Sequence, residues 1–117
     1  GEHDWIEIRL GDVILLYAEA LNENGDTAGA LTQLNKIRNR AGLANSTATS
    51  QADVRTAILN ERRLELAFEG HRWDDLVRTN TVDAEMGTTV NSNYYLFPIP
   101  ISEILATGGV ITQNAGY

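Results

Sequence analysis

The chain has 117 residues, of which 16 are acidic and 9 basic, giving a formal charge of −7, and it has no cysteine. A chain of this length is one unit able to bury roughly 65% of its unfolded surface, so a core needs no metal or disulfide staple. The acidic balance argues against a nucleic-acid partner, whose affinity comes largely from clustered Lys and Arg releasing counterions, and the missing cysteines exclude disulfides, thiol nucleophiles and Cys-ligated metal within this chain.

Lys36 is the only lysine, and a basic set made otherwise of arginine predicts fixed, bidentate pairs with carboxylates. No run of about 20 apolar residues is present to form a membrane-spanning helix. The opening Gly1-Glu2-His3-Asp4-Trp5 lacks the basic start and apolar stretch of a secretory signal.

In chain order, the first element is an amphipathic helix from Ile8 to Leu21. Leu10, Val13, Ile14, Tyr17, Ala20 and Leu21 share one face of a wheel turning about 100° per residue. Gly25 stops it and Asp26 caps the next helix, Thr27 to Ala41, which carries Ala30, Leu31, Leu34, Ile37 and Arg38 on one stripe and ends at Gly42. The small polar residues 43–50 form a connecting loop, in which Asn45-Ser46-Thr47 is a chance match to a glycosylation pattern. Ser50 with Asp53 resembles a capping box opening a third helix, Gln51 to Glu69, closed by Gly70. A fourth runs from about His71 to Thr79.

Beyond Asn80 the periodicity fades, and 81–93 reads as an irregular loop with no helix longer than a turn. Tyr94-Tyr95-Leu96-Phe97 is extended, Pro98 and Pro100 hold their predecessors out of helix, and Ser102 caps a short turn at Glu103-Ile104-Leu105. With no strand run long enough for a sheet, the fold class is all-α. It consists of tetratricopeptide-like hairpins over 8–42 and 50–79 followed by a loop and extended tail over 80–117. The repeat reading rests on Ile14, Tyr17, Ala18, Leu21, Ala30, Leu34 and Ile37 around Gly25-Asp26, with Ala18 and Ala30 where two antiparallel helices cross closely. In the second copy Arg63 and Asp75 stand in place of those alanines. Two hairpins are fewer than a repeat stack needs to support itself, so something else must cover the open faces.

Glu61 and Glu65 interrupt the apolar stripe of the third helix, which also carries Val54, Ala57, Ile58 and Phe68. Two carboxylates facing a cleft would suit the acid and base of a glycosidase. The reading preferred here makes them structural partners of arginines from neighbouring helices, such as Arg38 and Arg72, with both carboxylates at least half buried. His71 with Glu69, Asp74 and Asp75 matches no metal-ligand spacing. Asp74 and Asp75 suit the start of the fourth helix or a pair with Arg78. His3 lies at the chain end, and no nucleophile and base are placed for covalent catalysis. No catalytic residue, metal or cofactor is expected. Of the aromatics Trp5, Trp73, Tyr94, Tyr95 and Tyr117, Trp73 reads as core, while Tyr94 and Tyr95 beside a polar loop are the candidates for stacking on a sugar ring.

Three stretches carry a resemblance: Tyr17 to Gly25 (YAEALNENG), Leu34 to Gly42 (LNKIRNRAG) and Glu61 to Leu76 (ERRLELAFEGHRWDDL). With Phe97-Pro98-Ile99-Pro100 and the closing Gln113-Asn114-Ala115-Gly116-Tyr117, the chain resembles the C-terminal part of a SusD/RagB-family outer-membrane nutrient-binding lipoprotein. That resemblance implies a surface-exposed, lipid-anchored protein that binds glycans or other nutrients. It would work with a SusC-like TonB-dependent outer-membrane transporter, for which this chain supplies scaffold and partner-facing surface. It further implies that the lipid-bearing cysteine and most ligand contacts belong to an N-terminal part not included here. The alternative is a free-standing tetratricopeptide-like adapter that holds a peptide or protein partner.

Overall fold

A computed structural model describes residues 8–117; Trp5 and His3 lie outside the described residues. The described chain is helical, with no strand. In order come α1 (Leu10–Glu23), α2 (Thr27–Arg40), α3 (Gln51–Glu65), α4 (Arg72–Arg78), α5 (Val82–Met86), a 3₁₀ turn at Ser92–Tyr95, and α6 (Ile101–Ala106). Two compact units divide at Arg72/Trp73, a boundary that falls inside the segment 50–79 read from sequence as one hairpin.

In the first unit α1 and α2 form an antiparallel hairpin whose turn is set by local chemistry. Gly25 takes φ 88°, a left-handed conformation open to glycine without steric cost. This lets the Gly25 and Asp26 amides donate back to the carbonyls of Asn22 and Leu21 at 3.0 and 2.9 Å, satisfying two of the carbonyls a helix end leaves orphaned. The Asp26 side chain then accepts from the Gly29 amide at 2.8 Å and starts α2. Gly42 repeats the device at the end of α2, with Gly42 and Leu43 amides donating to Asn39 and Arg38.

α3 packs across both members of the hairpin. The shared core consists of Leu15 and Ala18 of α1, Ala30, Leu34 and Ile37 of α2, and Val54 and Ile58 of α3. Ala18 and Ala30 are fully buried, as close helix crossing requires.

Several elements differ from the sequence reading. The face that α1 turns inward overlaps the one its wheel selected only at Ile14 and Leu21, which pack part-buried against the core. Gly11, Asp12, Leu15, Ala18 and Asn22 are buried, while Leu10, Val13 and Tyr17 point to solvent. The helix is apolar on both sides, and α2 and α3 engage the narrower one. α3 stops at Glu65, four residues before the expected end, with Phe68 at φ 66° and Gly70 left in the turn that follows. Its last carbonyl is taken by a side chain from the far end of the unit, described below. The Ser50 hydroxyl accepts from the Asp53 amide at 3.1 Å, and the Asp53 carboxylate accepts from that hydroxyl at 2.6 Å rather than from a backbone amide.

In the second unit, α5 is a five-residue helix inside the expected loop. The first half of the Tyr94–Phe97 segment is 3₁₀ because the Asn91 side chain accepts from the Asn93 amide and starts a turn. α6 begins at Ile101 with Pro100 as its N-cap residue, so Ser102 lies inside the helix. The Pro100 carbonyl accepts from the Glu103 and Ile104 amides at 3.0 and 3.3 Å.

The closing residues have a visible task. The Gln113 amide group accepts from the Ile99 N–H at 2.7 Å and donates to the Ile99 carbonyl at 2.9 Å. Asn114 Nδ2 donates to the Phe97 carbonyl at 2.7 Å, and the Tyr117 hydroxyl donates to that of Leu96 at 3.1 Å. The C-terminal segment thus binds the backbone of the proline-rich stretch, where Pro98 and Pro100 have no N–H to offer.

Loss of the α2 cap is expected to weaken the hairpin. Asp26→Ala should lower stability by about 1 kcal/mol, read as a fall in the urea midpoint with an unchanged slope, and Asp26→Asn should recover most of it.

Candidate functional site

The concentration of charge read from sequence folds into a frame of arginine–carboxylate pairs that fastens α3 to the hairpin. At its centre Arg62 Nη1 of α3 donates to Asp12 Oδ1 of α1 at 2.7 Å, with side chains only 3% and 8% exposed. Arg38 Nη1 of α2 donates to Glu61 Oε2 of α3 at 2.7 Å, and Arg38 Nε also holds the Ala44 carbonyl of the following loop.

At the C-terminal end of α3 the Glu65 carboxylate receives both Arg9 and Arg40. Arg9 also donates to the Glu65 backbone carbonyl, and its Nε and Nη2 reach the two oxygens of Glu69 at 2.7 and 2.8 Å. One guanidinium therefore caps α3 and fixes the turn beyond it. A Cβ on Gly11 would lie 2.5 Å from Arg9 Nη1 and 2.9 Å from Glu65 Oε1, so the absence of a side chain makes room for the pair. At the opposite end of α3, Asn22 Nδ2 donates to the Gln51 carbonyl at 2.9 Å and Gln51 Nε2 donates to the Asn22 carbonyl at 2.6 Å. Arg55 Nε adds a pair with Glu23 at 2.7 Å.

Of the residues singled out in the sequence, Arg38 and Glu61 are brought together, and Glu61 is buried. Glu65 is half-buried and meets Arg9 and Arg40; Arg72 sits half-buried at the first position of α4. Sequence reasoning missed Arg9, Arg40, Asp12 and Arg62. A signal existed for Asp12, an acid set among apolar residues of α1. Arg9 gave none, since its partners lie 56 and 60 positions away.

Burial raises the Glu65 pKa, but hydrogen bonds from Arg40 and Arg9 outweigh it and hold the carboxyl below its ordinary value. The hydrogen bond from Arg9 does the same for Glu69, and that from Arg55 for Glu23. Two of the three carboxylates grouped with His71 in the sequence are engaged as well. Glu69 is bound to Arg9, and Asp75 Oδ1 accepts from Arg78 Nη2 at 2.7 Å.

In the second unit the aromatic candidates separate by environment. Tyr95 is half-buried and meets Trp73 edge-on, ring centres 6.2 Å apart at 79°. Tyr94 is exposed and stands edge-on to the exposed Tyr117 at 6.2 Å and 72°. Tyr95 is thus fixed by packing on Trp73, whereas Tyr94 and Tyr117 form an aromatic edge open to solvent.

Comparison with known proteins places this architecture. The SusD family model matches residues 1–90. The chain belongs to the SusD family. It is 33% identical to SusD-like protein P2 of Formosa agariphila over 97% of its own length and 26% of that protein's. It is 35% identical to the starch-binding protein SusD of Bacteroides thetaiotaomicron over 93% of the chain and 21% of that protein. A solved SusD superfamily structure from Parabacteroides distasonis superposes with a TM-score of 0.80 at 32% identity, covering 97% of this chain and 27% of the other. The chain therefore spans about a quarter of the length of these relatives and corresponds to their helical C-terminal part.

Two outcomes test the ion-pair frame of this SusD-family segment. Asp12→Ala removes the carboxylate that the buried Arg62 guanidinium binds and should cost about 3–5 kcal/mol, whereas the double replacement Asp12→Leu with Arg62→Met should recover most of that loss; urea unfolding of the two variants beside the unsubstituted protein measures both. The second concerns pH. A carboxyl whose folded pKa lies below its unfolded one binds fewer protons when folded, so its contribution is complete above the ordinary value of 4.5 and disappears as pH falls through the depressed folded value. Unfolding midpoints should hold level from neutral pH down to about 5 and fall below it, and Glu65→Gln should flatten that fall.

Proposed function

We propose that this chain is the scaffold and partner-facing C-terminal part of a cell-surface, lipid-anchored nutrient-binding protein. It captures a glycan and works with a SusC-like TonB-dependent outer-membrane transporter. The observation that carries the reading is family membership along nearly the whole chain, including 35% identity to a protein named for binding starch. The geometry supports a binding role in preference to hydrolysis. Glu61 and Glu65, the two carboxylates suited to an acid and base, are occupied by Arg38, Arg9 and Arg40, and Glu65, held below its ordinary pKa by Arg40 and Arg9, lacks the raised value a general acid needs.

The free-standing adapter rests on the hairpin spacing alone, and it leaves the match to the tail beyond α4 without a role. Within the chain, Tyr94 is the residue best presented to a sugar, since its ring is exposed and propped against Tyr117, and an aromatic face offers apolar area at small entropic cost. Tyr95 serves by holding Trp73.

Affinity electrophoresis of the intact gene product through gels containing soluble starch, a β-glucan or a xylan tests this reading. Retardation by at least one polysaccharide is expected, together with co-purification of a TonB-dependent transporter from detergent-solubilised outer membranes. Migration unaffected by every polysaccharide and purification without a transporter would contradict it. Tyr94→Ala is expected to weaken the retardation by about tenfold, the equivalent of roughly 1.4 kcal/mol, and Tyr95→Phe to leave it unchanged.

A further inference from the structure

The turn that joins α1 to α2 holds Asn24, the one asparagine of the chain that is followed by glycine. An asparagine side chain is open to attack by the backbone nitrogen of the next residue, and glycine, with no Cβ beside that nitrogen, obstructs the approach least. Asn24 and Gly25 are both exposed, and nothing lies within 4 Å of where a Cβ on Gly25 would stand. Water and space for a leaving group are at hand.

The folded turn nevertheless holds each participant out of position. Asn24 ends α1 with φ −85° and ψ 6°. At that ψ the Gly25 nitrogen nearly eclipses the Asn24 nitrogen and is turned away from the side chain, whereas a succinimide ring closes only with the Gly25 nitrogen and Cβ on the same side of the Cα–C bond. The nucleophile is occupied too, since the Gly25 N–H donates to the Asn22 carbonyl at 3.0 Å. So is the leaving group: Asn24 Nδ2 donates to the Ala20 carbonyl at 2.7 Å. From the far side the turn is held by the Asp26 amide on the Leu21 carbonyl at 2.9 Å and by the Asp26 carboxylate on the Gly29 amide.

We propose that Asn24 is a site of spontaneous deamidation whose rate is set by opening of the α1–α2 turn. In the opened turn the Gly25 nitrogen gives its proton to hydroxide and its electron pair to Asn24 Cγ. The Cγ–Nδ2 bond breaks, and Nδ2 leaves as ammonia on taking a proton from water, which restores the hydroxide. Water then opens the succinimide at one carbonyl or the other, leaving aspartate or isoaspartate at position 24 with no change of oxidation state. A carboxylate has no N–H to give the Ala20 carbonyl. It also adds negative charge at the C-terminal end of α1, where the helix dipole is already negative, and isoaspartate lengthens the backbone of the turn by one carbon. Conversion therefore loosens the hairpin to which α3 is fastened. The inference concerns this scaffold alone, so a protein that bound no polysaccharide would leave it standing.

The test incubates the intact gene product in mildly alkaline buffer, folded and urea-unfolded, and follows aspartate and isoaspartate at position 24 by peptide mass spectrometry. In the unfolded protein Asn24 should convert faster than any other asparagine of these 117 residues. The folded protein should convert at least about tenfold more slowly, because only the opened fraction reacts, and its rate should follow hydrogen exchange of the Gly25 amide as urea is added below the transition. Equal rates in folded and unfolded protein, or faster conversion of another asparagine in the unfolded chain, would overturn the proposal. The purified isoaspartate form should unfold at a lower urea midpoint than the unconverted protein, and an unchanged midpoint would refute the loosening.

Discussion

The first unit depends on one arrangement: a third helix held against a hairpin by arginines, three of whose carboxylate partners, Asp12, Glu61 and Glu65, are buried or nearly so. The Arg62–Asp12 pair is the centre of it. Both side chains are almost completely removed from water, which costs several kcal/mol per ion before attraction returns any of it. Such a pair contributes little net stability compared with a hydrophobic replacement, yet it penalises every packing in which the partners fail to meet. Its effect is to fix register. With Asn22 and Gln51 exchanging hydrogen bonds at one end of α3 and Arg9 and Arg40 converging on Glu65 at the other, the helix is located along its whole length.

That register explains local features that otherwise look unrelated. Gly11 leaves the space that the ends of the Arg9 and Glu65 side chains occupy. α3 ends at Glu65 because Arg9 takes its carbonyl. The preference for arginine over lysine follows from the geometry, since Arg9 alone serves a backbone carbonyl and two carboxylates, which a three-donor ammonium on a flexible stem does less well.

Much of the fold was legible from residues alone, and what was not has a common cause. Gly25, Asp26, Gly42 and Ser50 act within a few positions of themselves, so the ends of α1 and α2 and the start of α3 follow from local chemistry. The buried face of α1 did not, because the helix is apolar on both sides and only the partners decide which side turns inward. The wheel selected the wider stripe, most of which belongs to an outer surface. The end of α3 did not either, since its cap comes from Arg9, far away in sequence. Glu61 and Glu65 could be read as arginine partners from an apolar stripe interrupted by acids, but which arginines reached them depended on tertiary structure. The tail was misread where side chains intervened, as when Asn91 bent the segment before Tyr94 into a 3₁₀ turn. Its closing residues stood out as a signature, and their role as backbone clamps for Leu96, Phe97 and Ile99 became visible only in three dimensions.

The most direct test of the central claim, that the arginine frame makes α1, α2 and α3 a single cooperative body, is native-state hydrogen exchange on the intact gene product. The account predicts that the amides of Leu15, Leu34 and Ile58, one from the core of each helix, exchange through openings of the same free energy and the same denaturant dependence. Exchange of Ile58 through a smaller, denaturant-insensitive opening, with Leu15 and Leu34 still protected, would show that α3 detaches by itself and would contradict it.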